Sequence, residues 1–294
     1  ATGTSCILIS HLLGEILENC DRIVVMRDGK VVASDDAKAF DRAKLVSTMG
    51  AVAATHEGQR AAAEKADRDA APVRVRARPA RQDGGAELVA HRGEIIGLAG
   101  LSGHGQTELL LDVFDGASHR KPGVTVDGPV ALVAGDRQSD GIFPLWSIAR
   151  NIGIRSIGRL RQGLLVSQPL EDALAREWQE KIGIRTPDIH NDILSLSGGN
   201  QQKALFARAL GSDAEIILMD DPMRGVDVGT KRDVYELIRK EAEGGRTFLW
   251  YTTETEELEN CDYVYVFRNG RIVADLARDE LSEEKVIQSS FEDA

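Results

Sequence analysis

A chain of 294 residues with 42% apolar content can bury a core of ordinary size, as one large domain or one domain plus a piece. Its formal net charge of -11 repels phosphate backbones and argues against nucleic acid as a partner. Cys6, Cys20 and Cys261 are too few and too scattered for a disulfide framework or a zinc site, and no apolar run approaches the ~18 residues that span a bilayer, so any membrane role must come through a partner.

Residues 18–33 read ENCDRIVVMRDGKVVA, and residues 259–274 read ENCDYVYVFRNGRIVA. The two are offset by 241 (259 minus 18), and nine of the sixteen positions are identical. Each copy follows one plan. An apolar run (6–9; 247–250) predicts a buried strand, and a polar, helix-period stretch ends at Leu17 or Leu258. A second apolar run (23–26; 264–267), a turn (Asp28-Gly29; Asn269-Gly270) and a third run then predict a hairpin. Residues 1–50 are therefore expected to be the C-terminal end of a domain whose front is missing. Residues 51–86 are expected to be a linker. Their composition shifts to Ala, Arg, Glu and Asp with Pro72 and Pro79, and the basic stretch 74–81 reads as solvated or as a contact for phosphates or lipid headgroups.

From Glu87 onward, apolar runs at 95–99, 130–134, 216–219 and 247–251 alternate with helical patterns such as 170–182 and 231–243. This alternation predicts an α/β fold, a mainly parallel sheet covered by helices.

Three motifs carry chemistry. Gly100-Leu-Ser-Gly-His-Gly-Gln-Thr107-Glu108 follows the first of these strands and opens an apolar helix. Gly100 and Gly105 have phosphate-loop spacing and Thr107 the hydroxyl position, so backbone N–H groups could close round phosphate oxygens. Gln106, however, stands where that pattern has lysine. Leu196-Ser-Gly-Gly-Asn-Gln-Gln-Lys203 places Ser197 as the expected N-cap of a helix over 201–210, whose positive end suits a γ-phosphate. Ile216-Ile-Leu-Met-Asp220-Asp221-Pro222 is a buried strand ending in two carboxylates, which suits Mg²⁺ and activation of water. His11 ends the first repeat's strand, and Thr252 is its counterpart in the second.

Together these residues resemble ATP-binding-cassette ATPases, most of all the double-cassette subunits of bacterial importers for ribose, galactose, xylose and related sugars. LSGGNQQK at 196–203, DPMRGVDVGTK at 221–231 and a second cassette without the phosphate-loop lysine carry the resemblance. It implies a P-loop NTPase fold with added antiparallel strands, and ATP and Mg²⁺ as ligands. Residues 1–50 match the end of a first cassette and 87–294 a second, whose helical subdomain at about 142–195 would touch the permease. Gly100, Ser102, Gly103, His104, Gly105, Gln106, Thr107 and Glu108 match the phosphate loop. Ser197, Gly198, Gly199, Asn200 and Gln201 match the signature loop that completes a site across a dimer. Asp220, with Thr107, matches the magnesium position, and Asp221 stands where a catalytic Glu is usual. Residues 225–227, ending in Asp227, match the loop communicating between sites. His11 matches the switch histidine, and Asp136, Arg137 and Gly141 match the family's EDR…G segment.

The resemblance thus implies a sugar-import ATPase subunit, peripheral on the cytoplasmic face of the inner membrane. Its partners would be permease subunits, a second cassette or copy of the chain and, indirectly, a periplasmic sugar-binding protein. Gln106, Asp221, Thr252 and the lack of an aromatic residue before the loop all weaken this cassette's own site, so little hydrolysis is expected of the chain alone. Two alternatives stay open: a nucleotide-binding regulatory module without hydrolysis, and a soluble cassette protein acting on DNA or ribosomes, which the acidic charge disfavours.

Overall fold

The computed structural model describes residues 5–9, 13–27, 30–41, 44–45 and 71–291. They fall into two compact units, Ala1–Gln59 with Asp227–Asp233, and Arg60–Val226 with Val234–Ala294.

In the first unit, helix α1 (Leu13–Asn19) leads into an antiparallel hairpin of β1 (Arg22–Arg27) and β2 (Lys30–Asp36). Ile23 and Val25 alternate inward onto Ala37, Phe40 and Leu45 to make a small core. The predicted repeat extends to detail. The register shifts between Val25 and Met26 here, and between Val266 and Phe267, 241 positions on, in the second copy. Residues 6–9, expected to form a buried strand, form none, and Ile7 and Ile9 are exposed. Their counterparts 247–250 are fully buried because they have strands on both sides, which residues 6–9 do not have among the described residues. His11, the Asp28-Gly29 turn and the linker over 51–70 lie outside the described residues.

The second unit begins earlier than the composition suggests. β3 (Val73–Ala77) occupies the tail of the expected linker and pairs with β4 (Leu88–His91) and, on its other side, β6 (Val124–Val126). The run Val-Arg-Val-Arg-Ala has period two: Val75 and Ala77 are fully buried while the arginines face out. Two of the four arginines in the stretch 74–81 are tied to protein carboxylates, Arg74 to Glu215 at 2.5 Å and Arg76 to Glu87 at 2.8 Å.

The main sheet contains β5 (Ile95–Ala99), β7 (Val130–Val133), β10 (Ile216–Asp220), β11 (Thr247–Tyr251), β12 (Tyr263–Arg268) and β13 (Arg271–Ala277) in the order β13-β12-β5-β11-β10-β7. All neighbours are parallel except the β12–β13 hairpin. β5 and β11 are buried along their whole length, which is why they read as unbroken apolar runs. One face packs against helix α2 (Gln106–Gly116) and the three-stranded sheet, with Leu109, Leu110 and Val113 meeting Ile96, Leu98 and Leu249. The other face packs against α5 (Gly198–Leu210), α6 (Val228–Glu243) and a helical subdomain. That subdomain runs from α3 (Ile148–Gly153) through the small hairpin β8–β9 (Arg161–Gln162, Leu165–Val166) to α4 (Gln168–Ile182). α4 starts with a proline in its first turn and stops at Gly183 in the left-handed conformation (φ 67°).

Candidate functional site

β5 delivers the chain to Gly100, whose φ of 122° only glycine adopts readily, and a Cβ there would lie 2.3 Å from the carbonyl oxygen of Phe267. The loop then runs under the β12–β13 turn. Gly270 N donates to His104 O (2.9 Å), and a Cβ on Gly105 would sit 2.9 Å from Gly270 Cα. Gly103 (φ 80°) borders open space, and Ser102 meets the Tyr251 hydroxyl, whose acidity is lowered chiefly by burial. Nδ1 of His104 is buried without a hydrogen-bond partner among the described residues. The loop ends at the N-terminus of α2, where backbone N–H groups are free of intrahelical partners.

Gln106, the first residue of α2, is 1% exposed. Its amide nitrogen turns back and donates to the carbonyls of Ala99 and Leu101, both at 3.2 Å. The side chain at the lysine position is therefore neutral and engaged with its own loop. Thr107 donates to Asp220 Oδ1 at 2.7 Å, joining the helix start to the end of β10. Burial pushes the Asp220 carboxyl up. The Thr107 hydrogen bond opposes this, and the charges of Asp221 and Glu108, in the first turn of α2, add to it.

Asp221 is a non-glycine residue at φ 46°, held there as its N–H donates to Tyr251 O (2.8 Å). Its carboxylate accepts from Thr253, the N–H at 3.3 Å and the hydroxyl at 3.1 Å, so both oxygens are engaged. Burial still raises its pKa, against the Thr253 bonds. Next to it, Thr252 is buried and donates to Glu257 (2.7 Å), which also accepts from Tyr235 (2.8 Å). Thr252 is thus turned into the protein.

The second predicted loop lies at the surface, with Ser197 exposed and Gly198, Gly199 and Asn200 half-buried. α5 begins at Gly198, three residues before the predicted start. Ser197 has N-cap geometry, but its hydroxyl accepts from the Asn200 side chain (2.9 Å) and makes no bond to a helix N–H. Asn200 in turn accepts from Arg185 N. Gln201 is buried, donates to Leu196 O (3.1 Å) and accepts from Gln138 (3.2 Å). Asp227 is exposed and caps α6 through Thr230 N (3.0 Å) and the Thr230 hydroxyl (2.8 Å).

Two arginines complete this frame: Arg137, of the matched 136–141 segment, and Arg208, which no motif marks. A Cβ on Gly198 would lie 2.9 Å from the Arg137 guanidinium, so this glycine lets Arg137 cross the start of α5. Arg208, farther along α5, is mostly buried with no carboxylate paired to it among the described residues. It donates to Asn151 O (2.6 Å), Asn151 Oδ1 (2.8 Å) and Gly141 O (2.6 Å), and packs on the Phe143 ring. Burial lowers its pKa to about 10. It fastens α5 to α3 and to the segment leaving Asp136. An arginine inside the apolar string ALFARAL was the available signal.

Among the described residues no group of three or more His, Cys, Asp or Glu could hold a metal ion. Magnesium in nucleotide sites, however, takes one or two protein oxygens and completes its shell with phosphates and water. The touching Thr107 hydroxyl and Asp220 carboxylate are a donor set of that kind, and the glycine loop with its unsatisfied His104 nitrogen fits a phosphate chain.

A glycine loop between a parallel strand and a helix, an acid-tipped strand two places along the same sheet and a helical subdomain on the far face define an ATP-binding cassette of the P-loop class. Residues 85–224 match the ABC transporter family. A ribose import ATP-binding protein of Burkholderia ambifaria is 36% identical over 302 residues, 97% of this chain and 60% of that protein. A xylose import ATP-binding protein of Thermoanaerobacter pseudethanolicus is 30% identical over 307 residues, 97% of this chain and 61% of that protein. Among solved structures, a nucleotide-free ATP-binding cassette from an ABC transporter superposes with a TM-score of 0.59 at 18% identity, covering 75% of this chain and 100% of the other. A cassette in a post-hydrolysis state bound to ADP and Pi gives 0.58 at 20%, covering 69% and 98%. The chain is an ABC-transporter ATP-binding cassette subunit, homologous to the ribose- and xylose-import ATPases. It spans about 60% of the length of the first of these relatives.

Proposed function

We propose that this chain is part of the ATP-binding subunit of a sugar importer, and that its own phosphate loop is a weak or inactive nucleotide site. The observation that carries the reading is Gln106, buried and bonded to its own loop where a cation would meet the phosphates. Residues 1–50 are the end of a first cassette and 87–294, with the strand at 73–77, a second. Residues 100–108 would hold the phosphates of ATP, and Thr107 with Asp220 would hold Mg²⁺. Bound there, the ion would neutralise phosphate charge and supply Lewis-acid chemistry. Asp221 would stand at the position of the catalytic carboxylate, but its engagement with Thr253 and its short reach leave it poorly placed to activate water.

Ser197 to Gln201, Asp227 and His11 would serve the opposite site, facing an intact first cassette. The exposure of Ser197 supports a role across an interface with that cassette or with a second copy of the chain. Exposed Phe143, Leu145 and Leu194 on the helical subdomain support docking to an integral-membrane permease, itself fed by a periplasmic sugar-binding protein. The subunit would then sit peripherally on the cytoplasmic face of the inner membrane; no helix among the described residues is long and apolar enough to cross one.

Steady-state ATPase measurement on the 294-residue chain tests this. Turnover near zero is expected, and turnover in the range of about 1–100 s⁻¹ would refute the inactive-site reading. The occupied oxygens of Asp221 favour a second reading, a nucleotide-binding regulatory module. ATP affinity without turnover in the complete subunit would establish it.

A further inference from the structure

The small hairpin of the helical subdomain carries its apolar side chains outward. The short helix Ile157–Leu160 leads into β8, and β8 and β9 pair Arg161 with Val166 and Gln162 with Leu165. Ser167 N donates to Leu160 O (2.8 Å) and closes the base. Gly163 turns the chain at φ 66°, and nothing lies within 4 Å of the place a Cβ would take there. Such a turn requires the glycine but nothing apolar after it. Yet Leu164 is 93% exposed, Leu165 76% and Val166 43%. Cations flank this tip. Arg155, Arg159 and Arg161 are exposed, and among the described residues each bonds only to a backbone carbonyl: Val130 O (2.7 Å), Gly211 O (3.4 Å) and Gly163 O (3.3 Å). All three therefore keep their charge unneutralised. No Asp or Glu occurs from Gly141 to Leu170, in a chain whose net charge is -11. The next carboxylates, Glu171 and Asp172, are half-buried; Glu171 packs on Gly153 and Asp172 faces His190 at 3.2 Å.

We propose that this hairpin docks directly on an anionic bilayer surface, Leu164 and Leu165 entering the headgroup boundary while the arginines meet lipid phosphates. Exposed apolar residues mark protein or membrane contacts. Three aliphatic side chains on a protruding turn fall well short of the ~800 Å² that each partner gives to a stable protein interface. A bilayer demands no matching outline and accepts so small a tip. Membrane attachment needs two signals, because a little apolar surface or a few cations hold only marginally alone. Both are present here within twelve residues, 155–166. At about 3.3 Å of rise per residue, Arg161 starts no more than about 10 Å from Leu164, and its long stem lets the guanidinium stay at headgroup level while the leucines sit deeper. This contact is additional to any permease contact through Phe143, Leu145 and Leu194, and it needs neither permease nor nucleotide.

Vesicle co-sedimentation of the full chain tests this, with phosphatidylcholine vesicles and with vesicles that also contain phosphatidylglycerol. The unaltered chain should bind the anionic vesicles, bind the neutral ones at least tenfold more weakly, and lose affinity as salt is added. Leu164→Ser with Leu165→Ser, and separately Arg159→Gln with Arg161→Gln, should each weaken anionic binding by about tenfold. All four positions are exposed, so both variants should keep the parent's circular dichroism and Tm. The first unit also exposes Ile7 and Ile9, and binding that survives both double substitutions would place the lipid contact elsewhere and overturn the proposal. So would a chain that ignores anionic vesicles, or one that binds both kinds equally. A chain that ignores vesicles yet needs Leu164 and Leu165 to bind detergent-solubilised permease would make the hairpin a protein contact instead. The assay contains no nucleotide and no permease, so a negative result leaves the sugar-import reading standing.

Discussion

Replacing Gln106 by lysine asks how much of the site's weakness is one missing charge. The amide gives up hydrogen bonds to Ala99 O and Leu101 O, each at 3.2 Å. A neutral bond of this kind contributes about 0.5–1.5 kcal/mol, and the ammonium can still reach one of the two carbonyls, so the apo protein should lose about 1 kcal/mol. That corresponds to about 2–4 °C in Tm for a domain of this size. In return, an ammonium at about 4 Å from a phosphate oxygen gains about 4 kcal/mol at an effective dielectric near 20. If about half survives desolvation, ATP affinity rises by about 2 kcal/mol, or roughly 30-fold. Fluorescence titration with ATP, ADP and AMP reads this out. The gain should be present for ATP and ADP, absent for AMP, and should shrink as salt is added. An unchanged ATP affinity in a folded Gln106→Lys protein, or an equal gain for AMP, would refute the argument that the neutral side chain limits binding.

Removing the Arg208 head group in Arg208→Met strands the carbonyls of Gly141 and Asn151 in a buried place. We expect a loss of about 3 kcal/mol in urea unfolding, with Arg208→Lys recovering only part of it; a loss under about 1 kcal/mol would contradict the account. The carboxyl of Asp220 is pushed above its ordinary 3.8, chiefly by burial, so the folded state holds its proton to higher pH than the unfolded chain does. Stability is therefore greatest, as far as this group is concerned, below about pH 3.8, and falls as pH rises through the raised value. Asp220→Asn keeps an acceptor for Thr107 and should be more stable than the parent at pH 7, with the two melting curves converging toward pH 4. Parallel stability–pH curves for the two proteins would disprove it.

Much of the sheet is legible because parallel strands buried on both faces leave long apolar runs. The run at 95–99 was placed to the residue, and that at 247–251 likewise. β3 was hidden because its arginines dominated the composition, although Val75 and Ala77 kept the alternation of a strand. Residues 6–9 failed for the converse reason: an apolar run becomes a buried strand only where neighbours flank it. In the site, the glycines, Thr107 and the paired acids follow from spacing, since phosphate and metal chemistry demand those types there. Contacts made by side-chain direction do not. Nothing in the string GHGQT says that Gln106 folds back on its loop, and nothing near Asp221 says that Thr253 covers both its oxygens. Ser197 shows the limit well, taking the backbone pose of a cap while its hydroxyl serves Asn200.

The Arg208 fastening has a property of its own. It couples a fixed positive charge to carbonyl and amide dipoles, with no counter-ion in the joint among the described residues. Dissolved ions weaken attraction between opposite charges chiefly where water reaches them, and here it scarcely does. Burial lowers the guanidinium's pKa only to about 10, so it stays charged at neutral pH. α5 and the subdomain behind it are thus held by a joint that added salt should weaken little.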